Sequence, residues 1–254
     1  MTPAAGPMPK TGPMEDVRDR GAEAEGRWSP PPHATQTVPR RGLLARLDAS
    51  AGVRILDLCA PAGYGKTLFA AQLRDRWLAR GLPVAWLTLD PADAEEGALE
   101  QALTTAQDKI RAIPSGGSAL LVLDGLHSLE PARLTPLLEG LVRRLPAAVR
   151  LVLTGRVPVK AGLAPLRARG LVLDLRPADL CFSREDMQYL FNHALGPAEQ
   201  QELEHLTGGW PVAVQFARRW WQRRGDRARL SHLADALADD TADYLEEEVF
   251  ARVD

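Results

Sequence analysis

An α/β fold built on a parallel sheet is predicted by three features of the sequence: short runs dense in Leu, Val and Ile, amphipathic stretches alternating with them, and glycines at the joints. Five strands follow, at Arg54 to Cys59, Pro83 to Leu89, Ala119 to Leu123, Val149 to Thr154 and Leu171 to Leu175. Most are nearly continuous in aliphatic residues, as suits strands covered on both faces. The intervening helices are expected over Thr67 to Arg80, Glu95 to Ala112, Pro131 to Arg144 and Leu163 to Arg167, with Gly81 and Gly170 as stops. Order is expected to begin near Val38, where Leu43, Leu44 and Leu47 fall at helical spacing behind Pro39. Residues 1–36, rich in Pro, Gly, Ala and charge, are expected to form a disordered leader. Beyond Leu180 the strand signal ends. Ser183 ahead of Arg184, Glu185 and Asp186 reads as an N-cap with an acidic first turn, so a helical second unit starts there.

A chain of 254 residues, 45% hydrophobic, has room for one sizeable α/β domain and a smaller unit. Its formal charge of -2 exerts no global pull toward nucleic acid. The two cysteines, Cys59 and Cys181, sit in apolar stretches without the short spacing of a metal or redox pair, and read as buried thiols in a reducing compartment. No apolar run approaches the roughly 20 residues needed to cross a bilayer, and the N-terminus lacks the hydrophobic core of a secretory signal. A cytoplasmic protein is expected.

After the first strand comes Ala60-Pro61-Ala62-Gly63-Tyr64-Gly65-Lys66-Thr67, which fits the Walker A pattern except that Ala60 stands at the first glycine. Gly63 and Gly65 let the backbone curl so that successive N–H groups face phosphate oxygens, and the following helix adds its positive end. Lys66 supplies charge for the β and γ phosphates. Thr67 offers its hydroxyl to Mg²⁺. The loop follows a predicted strand and opens a predicted helix, which is the context a P-loop requires. ATP or ADP with Mg²⁺ is the expected ligand.

The third strand closes on Asp124 after Leu120-Leu121-Val122-Leu123, the pattern of a Walker B acid that partners Mg²⁺ directly or through water. Thr67 and Asp124 are therefore the candidate metal-side residues. In many hydrolysing relatives of this class a second acid follows; here Gly125 does, so hydrolysis is expected to be slow or to need help from elsewhere. His127 is given no catalytic role. The fourth strand ends Thr154-Gly155-Arg156, and Arg156 is a candidate γ-phosphate sensor, with a surface ion pair as the alternative.

These residues resemble the nucleotide-binding domain of MalT-type transcription activators, large ATP-dependent members of the signal-transduction class of P-loop ATPases. The matching stretches are Val38-Pro39-Arg40, Ala60 to Thr67, Val84 to Asp90, Leu121 to His127, Leu166 to Gly170, Asp179 to Ser183 and Gly208 to Gln215. They run from about Val38 to the C-terminus. The departure is Gly125, where the family typically carries a second Asp. The resemblance implies a P-loop NTPase with a five-stranded parallel sheet ordered 5-1-4-3-2, a small helical lid and the start of a winged-helix unit. It also implies that Gly209-Trp210-Pro211 is the Gly-x-Pro motif of the lid, with Pro211 against the adenine and the segment Val38 to Arg41 over its other side. The bland reading of Gly208, Gly209 and Pro211 is the end of one helix and the first turn of the next. The nucleotide-binding set is then Pro39, Arg40, Ala62, Gly63, Tyr64, Gly65, Lys66, Thr67, Leu68 and Pro211.

Boundaries are placed at 37–178 for the nucleotide-binding domain, 179–238 for the lid and 239–254 for the further unit. In that last stretch Tyr244, Leu245, Val249 and Phe250 form an apolar stripe opposite acids, which is expected to dock on another protein or a second copy. The chain reads as a truncated piece of a longer regulator or a stand-alone relative; DNA would be met only by a helix-turn-helix unit outside it. Arg218, Arg219, Arg223, Arg224, Arg227 and Arg229 with Trp220 and Trp221 form a basic, aromatic cluster, read as a solvated, partly packed helix face in preference to a nucleic-acid surface. The leading expectation is an ATP/ADP-binding regulatory switch with slow hydrolysis and nucleotide-dependent self-association. A vigorous ATPase or small-molecule kinase, and a scaffold with a degenerate site, are the alternatives.

Overall fold

The aliphatic runs pair as five parallel strands: β1 (Ile55–Cys59), β2 (Val84–Thr88), β3 (Ala119–Asp124), β4 (Val149–Gly155) and β5 (Val172–Leu175). Their order is β2-β3-β4-β1-β5, which read from the other edge is the expected 5-1-4-3-2. This is the architecture of a P-loop NTPase. The computed structural model describes residues 26–32, 37–50, 52–95, 97–111, 118–160, 162–224 and 240–246. Most of the leader, Arg227, Arg229, Val249 and Phe250 lie outside the described residues.

Successive side chains along a strand point to opposite faces, so each strand feeds two cores. Leu121, Leu123, Leu151 and Leu153 pack with Leu99, Leu103, Leu134 and Leu138 on one face. Leu120, Val122 and Val152 pack with Leu43, Leu47, Phe69 and Leu73 on the other. The helices responsible are α1 (Arg41–Ala49), α2 (Lys66–Leu78), α3 (Ala98–Arg111) and α4 (Pro131–Arg144). Gly81 and the glycine after the short α5 (Ala164–Ala168), Gly170, both take φ +69 and close their helices.

Beyond β5, α6 (Pro177–Leu180) leads to three helices, α7 (Arg184–Leu190), α8 (Pro197–Thr207) and α9 (Pro211–Arg224). Ser183 caps α7 as expected: its hydroxyl accepts from the Asp186 N–H at 3.1 Å, and Asp186 returns the bond to the Ser183 N–H at 3.0 Å. Met187, Leu190, Leu203, Val214, Ala217 and Trp220 form a third core, distinct from the two sheet cores. Val38 packs in this helical core although it lies far upstream in sequence.

Two expectations change, and a third gains detail. α3 begins at Ala98 rather than Glu95, because Asp90 opens a separate 3-10 turn over Pro91–Ala94, accepting from the Ala92 N–H at 2.8 Å. Part of the leader, at Arg27, reaches the sheet edge. There the Thr88 N–H of β2 donates to the Arg27 carbonyl at 2.8 Å, and Arg27 forks onto the buried Asp93 at 2.7 Å, so an edge N–H and a buried carboxylate are both satisfied. Trp220 is core and Trp221 packs edge-on to Phe191, so the aromatic members of the basic cluster face inward.

Candidate functional site

The P-loop turns where its glycines permit. Gly63 and Gly65 sit at φ +77 and +72, a region costly for any residue with a Cβ. Ala60 is not among the positive-φ residues, which explains why alanine serves at the first position. Its N–H donates to the Gly155 carbonyl at 3.2 Å, tying the stem of the loop to β4. α2 opens at Lys66, whose ammonium donates to the Pro61 carbonyl at 2.7 Å. Burial, and then the positive charge of Arg156, push the Lys66 pKa down to about 8 against the pull of Asp124.

Strand order brings Asp124, at the tip of β3, beside this loop. Its carboxylate accepts from the Thr67 hydroxyl at 2.9 and 3.1 Å and from the Thr154 hydroxyl at 2.5 Å. Thr154 in turn accepts from the Gly125 N–H at 3.0 Å. Burial raises the Asp124 pKa, opposed by the bonds from Thr154 and Thr67. Lys66, Thr67, Asp124, Thr154 and Arg156 line one cavity of about 330 Å³. Two oxygen donors in contact, with room for phosphate beside them, form the kind of set that Mg²⁺ shares with a nucleotide. The residues therefore fit a Mg²⁺-nucleotide, with Thr67 and Asp124 on the metal side and Lys66 on the phosphates.

Gly125 itself adopts φ +84, and a Cβ there would lie 3.1 Å from the Leu89 carbonyl oxygen. The missing second acid is thus accompanied by a backbone conformation that disfavours any side chain.

A second cavity, about 270 Å³, shares Gly63, Gly65 and Leu68 with the first and is otherwise largely apolar, walled by Val38, Phe69, Phe182, Pro211 and Phe216. Its lid wall is fastened directly to the P-loop. The Val212 N–H donates to the Gly63 carbonyl at 3.2 Å, the Trp210 indole N–H reaches the Ala62 carbonyl at 3.4 Å, and the Tyr64 and Trp210 rings stand 6.2 Å apart. Gln72, one and a half turns into α2, holds the opposite wall: its amide donates to the Val38 carbonyl at 2.7 Å and accepts from the Arg40 N–H at 3.0 Å.

Of the residues singled out in the sequence, the loop from Ala62 to Leu68, Asp124, Arg156 and Pro211 all line these two joined cavities or support them. Pro39 does not; it lines a neighbouring cleft with Asp179, Cys181 and Ser183, and Val38 takes its place on the cavity wall. Arg40 borders the cavity but is 6% exposed and already engaged. Its guanidinium donates to the Cys181 carbonyl at 2.9 Å, stands 3.6 Å from Asp186 and lies 5.0 Å over the Phe182 ring, so it joins the chain entry to the lid. Tyr244, expected on a stripe awaiting an outside partner, instead packs edge-on to Trp210 and Phe216 and lines the phosphate cavity. The sequence names Thr154 and Trp210 only as members of motifs, with no role of their own, and gives no sign of Gln72. Thr154 carried a signal, a hydroxyl ending an aliphatic strand, but its partner becomes visible only once β3 and β4 are neighbours.

No family model matches the chain. Among curated proteins, the HTH-type transcriptional regulator MalT of Serratia proteamaculans is 28% identical over 267 residues, covering 90% of this chain and 29% of that protein. MalT of Yersinia enterocolitica is 27% identical over 263 residues with the same shares. The chain thus spans under a third of the length of the curated relatives it matches, and the resemblance carried by its motifs extends over nine-tenths of it. Among solved structures, a RuvB variant of Thermotoga maritima is 17% identical with a TM-score of 0.47, covering 81% of this chain and 69% of that one. An ORC1 protein of Aeropyrum pernix in complex with DNA is 17% identical with a TM-score of 0.47, covering 84% and 68%. No described helix is long and apolar enough to cross a membrane.

Proposed function

We propose that the chain is the ATP/ADP-binding switch module of a transcriptional regulator, with nucleotide occupancy rather than turnover as its output. The observation that carries this reading is the junction of the two cavities. Phosphate-binding groups of the sheet and an apolar pocket closed by the lid meet at Gly63, Gly65 and Leu68, so one nucleotide spans both. The similarity to MalT regulators gives the regulatory context.

In this reading Lys66 neutralises the β and γ phosphates, and Thr67 and Asp124 hold Mg²⁺, which supplies charge neutralisation at the terminal phosphates. Arg156 meets the γ-phosphate. Pro211, with Val38 opposite, sandwiches the base. A ligand shifts an equilibrium only through differential affinity. ATP and ADP differ at the end bordered by Arg156, while the lid is fastened to the same loop through Gly63 and Ala62. Gly125 leaves no carboxylate next to Asp124 to orient a water, which supports slow hydrolysis over the metabolic kinase or vigorous ATPase. Self-association and the boundaries 37–178, 179–238 and 239–254 belong to the same proposal, with Val38 serving the lid.

The test is to extract and identify the nucleotide that co-purifies, then to titrate the emptied protein with Mg-ADP and Mg-ATP. Retained ADP and tight binding of both, with turnover far below one per second, is the expected result. An emptied protein that binds neither would sink the proposal, and rapid multiple-turnover phosphate release would replace it with the enzymatic reading.

A further inference from the structure

Asp57 lies in the middle of β1, the strand that feeds the P-loop, and is 1% exposed, yet nothing in the nucleotide reading uses it. A carboxylate so placed must be paired. Its Oδ2 accepts from Arg167 and from Arg176, each at 3.0 Å. Asp174, its register partner on β5, accepts from the same two arginines, at 2.9 Å from an Arg167 Nη and 2.6 Å from Arg176. Two acids and two arginines close a neutral square.

Arg167 alone of the four reaches a further element. Both of its terminal nitrogens donate to the Val159 carbonyl at 3.2 Å. Val159 is the far end of the loop that leaves β4 through Arg156. The near end, Gly155, is fixed by the Ala60 N–H, and the Val159 side chain is buried in the sheet core. Between these anchors stand only Arg156, Val157 and Pro158, and Val157 is 61% exposed, so packing of its own does little to hold the tether. Arg156 borders the phosphate cavity from this tether.

The geometry points to Arg167 as a positioning residue for discrimination between triphosphate and diphosphate: by gripping the Val159 carbonyl from Asp57, it fixes the loop that presents Arg156. This rests on the proposed reading of the phosphate cavity. Lysine cannot substitute. A single ammonium can meet one of the carboxylates but lacks the planar fork that serves Asp57, Asp174 and a carbonyl together. Arg176 is the internal control, since it shares both acids and does not touch Val159.

The experiment is calorimetric titration of the full chain with Mg-ADP and with the Mg complex of a non-hydrolysable ATP analogue. Wild type, Arg167→Lys, Arg176→Lys, Arg156→Ala and the Arg156→Ala/Arg167→Lys double variant are compared. Arg167→Lys is expected to lower the triphosphate-to-diphosphate affinity ratio roughly tenfold, the size of one misaligned charge-assisted contact, with ADP affinity within about twofold of wild type. The double variant should be no lower than Arg156→Ala, Arg176→Lys should leave the ratio alone, and amide exchange at residues 156, 157, 159 and 160 should accelerate only in the variants that carry Arg167→Lys. Should Arg167→Lys fail to fold, Val159→Ala keeps the gripped carbonyl but removes the core-packed side chain behind it, which loosens the same end of the tether without touching the square and should reproduce the fall. An unchanged ratio in Arg167→Lys or Val159→Ala, or equal losses for both nucleotides, overturns the proposal. An unchanged ratio in Arg156→Ala also overturns it, through the sensor, whereas a wild type that binds neither nucleotide defeats the nucleotide reading itself.

Discussion

The polar cavity draws its groups from the ends of four strands in one sheet, whereas the apolar cavity draws its walls from four segments spread between Thr37 and Arg219. In the first, position is inherited from strand pairing: once β1, β3 and β4 align, Lys66, Asp124 and Thr154 cannot avoid one another. In the second, position depends on a few bonds across a joint, from Gln72, Arg40, Trp210 and Val212. On the proposed reading, the phosphate end is therefore the fixed reference, and a change in the lid would be felt at the base end.

Variants at the two ends should separate accordingly. Lys66→Ala is expected to have the largest effect on binding, a loss of about a hundredfold for both ADP and ATP, since a buried charge-assisted contact contributes about 1.5–3 kcal/mol. Calorimetry checks it, and the melting temperature of the free protein should fall little. Gly63→Ala attacks the seam between the cavities. Its Cβ would meet Val212 Cγ1 at 2.7 Å and the Trp210 indole nitrogen at 2.9 Å, at positive φ. A cost of about 2–3 kcal/mol from strain and overpacking, read by denaturant unfolding, should come with a changed Trp210 fluorescence. Arg40→Met acts only at the base end. It removes the bolt to Cys181 and Asp186, and a loss of about 2 kcal/mol in stability is expected, with weaker nucleotide binding even though Lys66 and Asp124 are untouched.

The smallest effect is on pH dependence. Lys66 releases its proton near pH 8 in the folded chain, and unfolding returns it to its ordinary value of 10.5. Between these values the unfolded state binds more protons, so this group adds stability as pH rises from 8 toward 10.5. Binding responds with the opposite sign. Phosphate needs the ammonium, so affinity should fall about tenfold between pH 7 and 9, with proton uptake on binding that appears in calorimetry as a dependence on buffer ionisation enthalpy. Equal affinity at both pH values would mean that Lys66 stays charged throughout.

The sheet was largely legible because each strand announces itself locally: β3 is six buried residues ending in an acid, and α4 runs over the residues expected from its spacing. The P-loop was legible because glycine, lysine and threonine are demanded at fixed offsets by backbone geometry and charge. Non-local assembly was not. Nothing in the sequence near Val38 says that it packs with helices 150 residues later, nor that Gln72 holds its carbonyl. Asp57 did leave a trace, a lone carboxylate inside Ile55-Leu56-Asp57-Leu58-Cys59, but which arginines answer it depends on where β5 and α5 come to rest. The places of Pro39 and Tyr244 are equally non-local, since their surroundings are assembled from distant parts of the chain.

Gly125 has a consequence for how the site can change. Giving this chain a second acid is a change of two parts, because the new Cβ meets the Leu89 carbonyl unless the connection leaving β2 retreats, and because φ +84 disfavours it even then. On the proposed reading, a one-residue route from slow switch to efficient hydrolase would pass through a less stable intermediate, so the glycine that leaves the site without a second acid also resists its introduction.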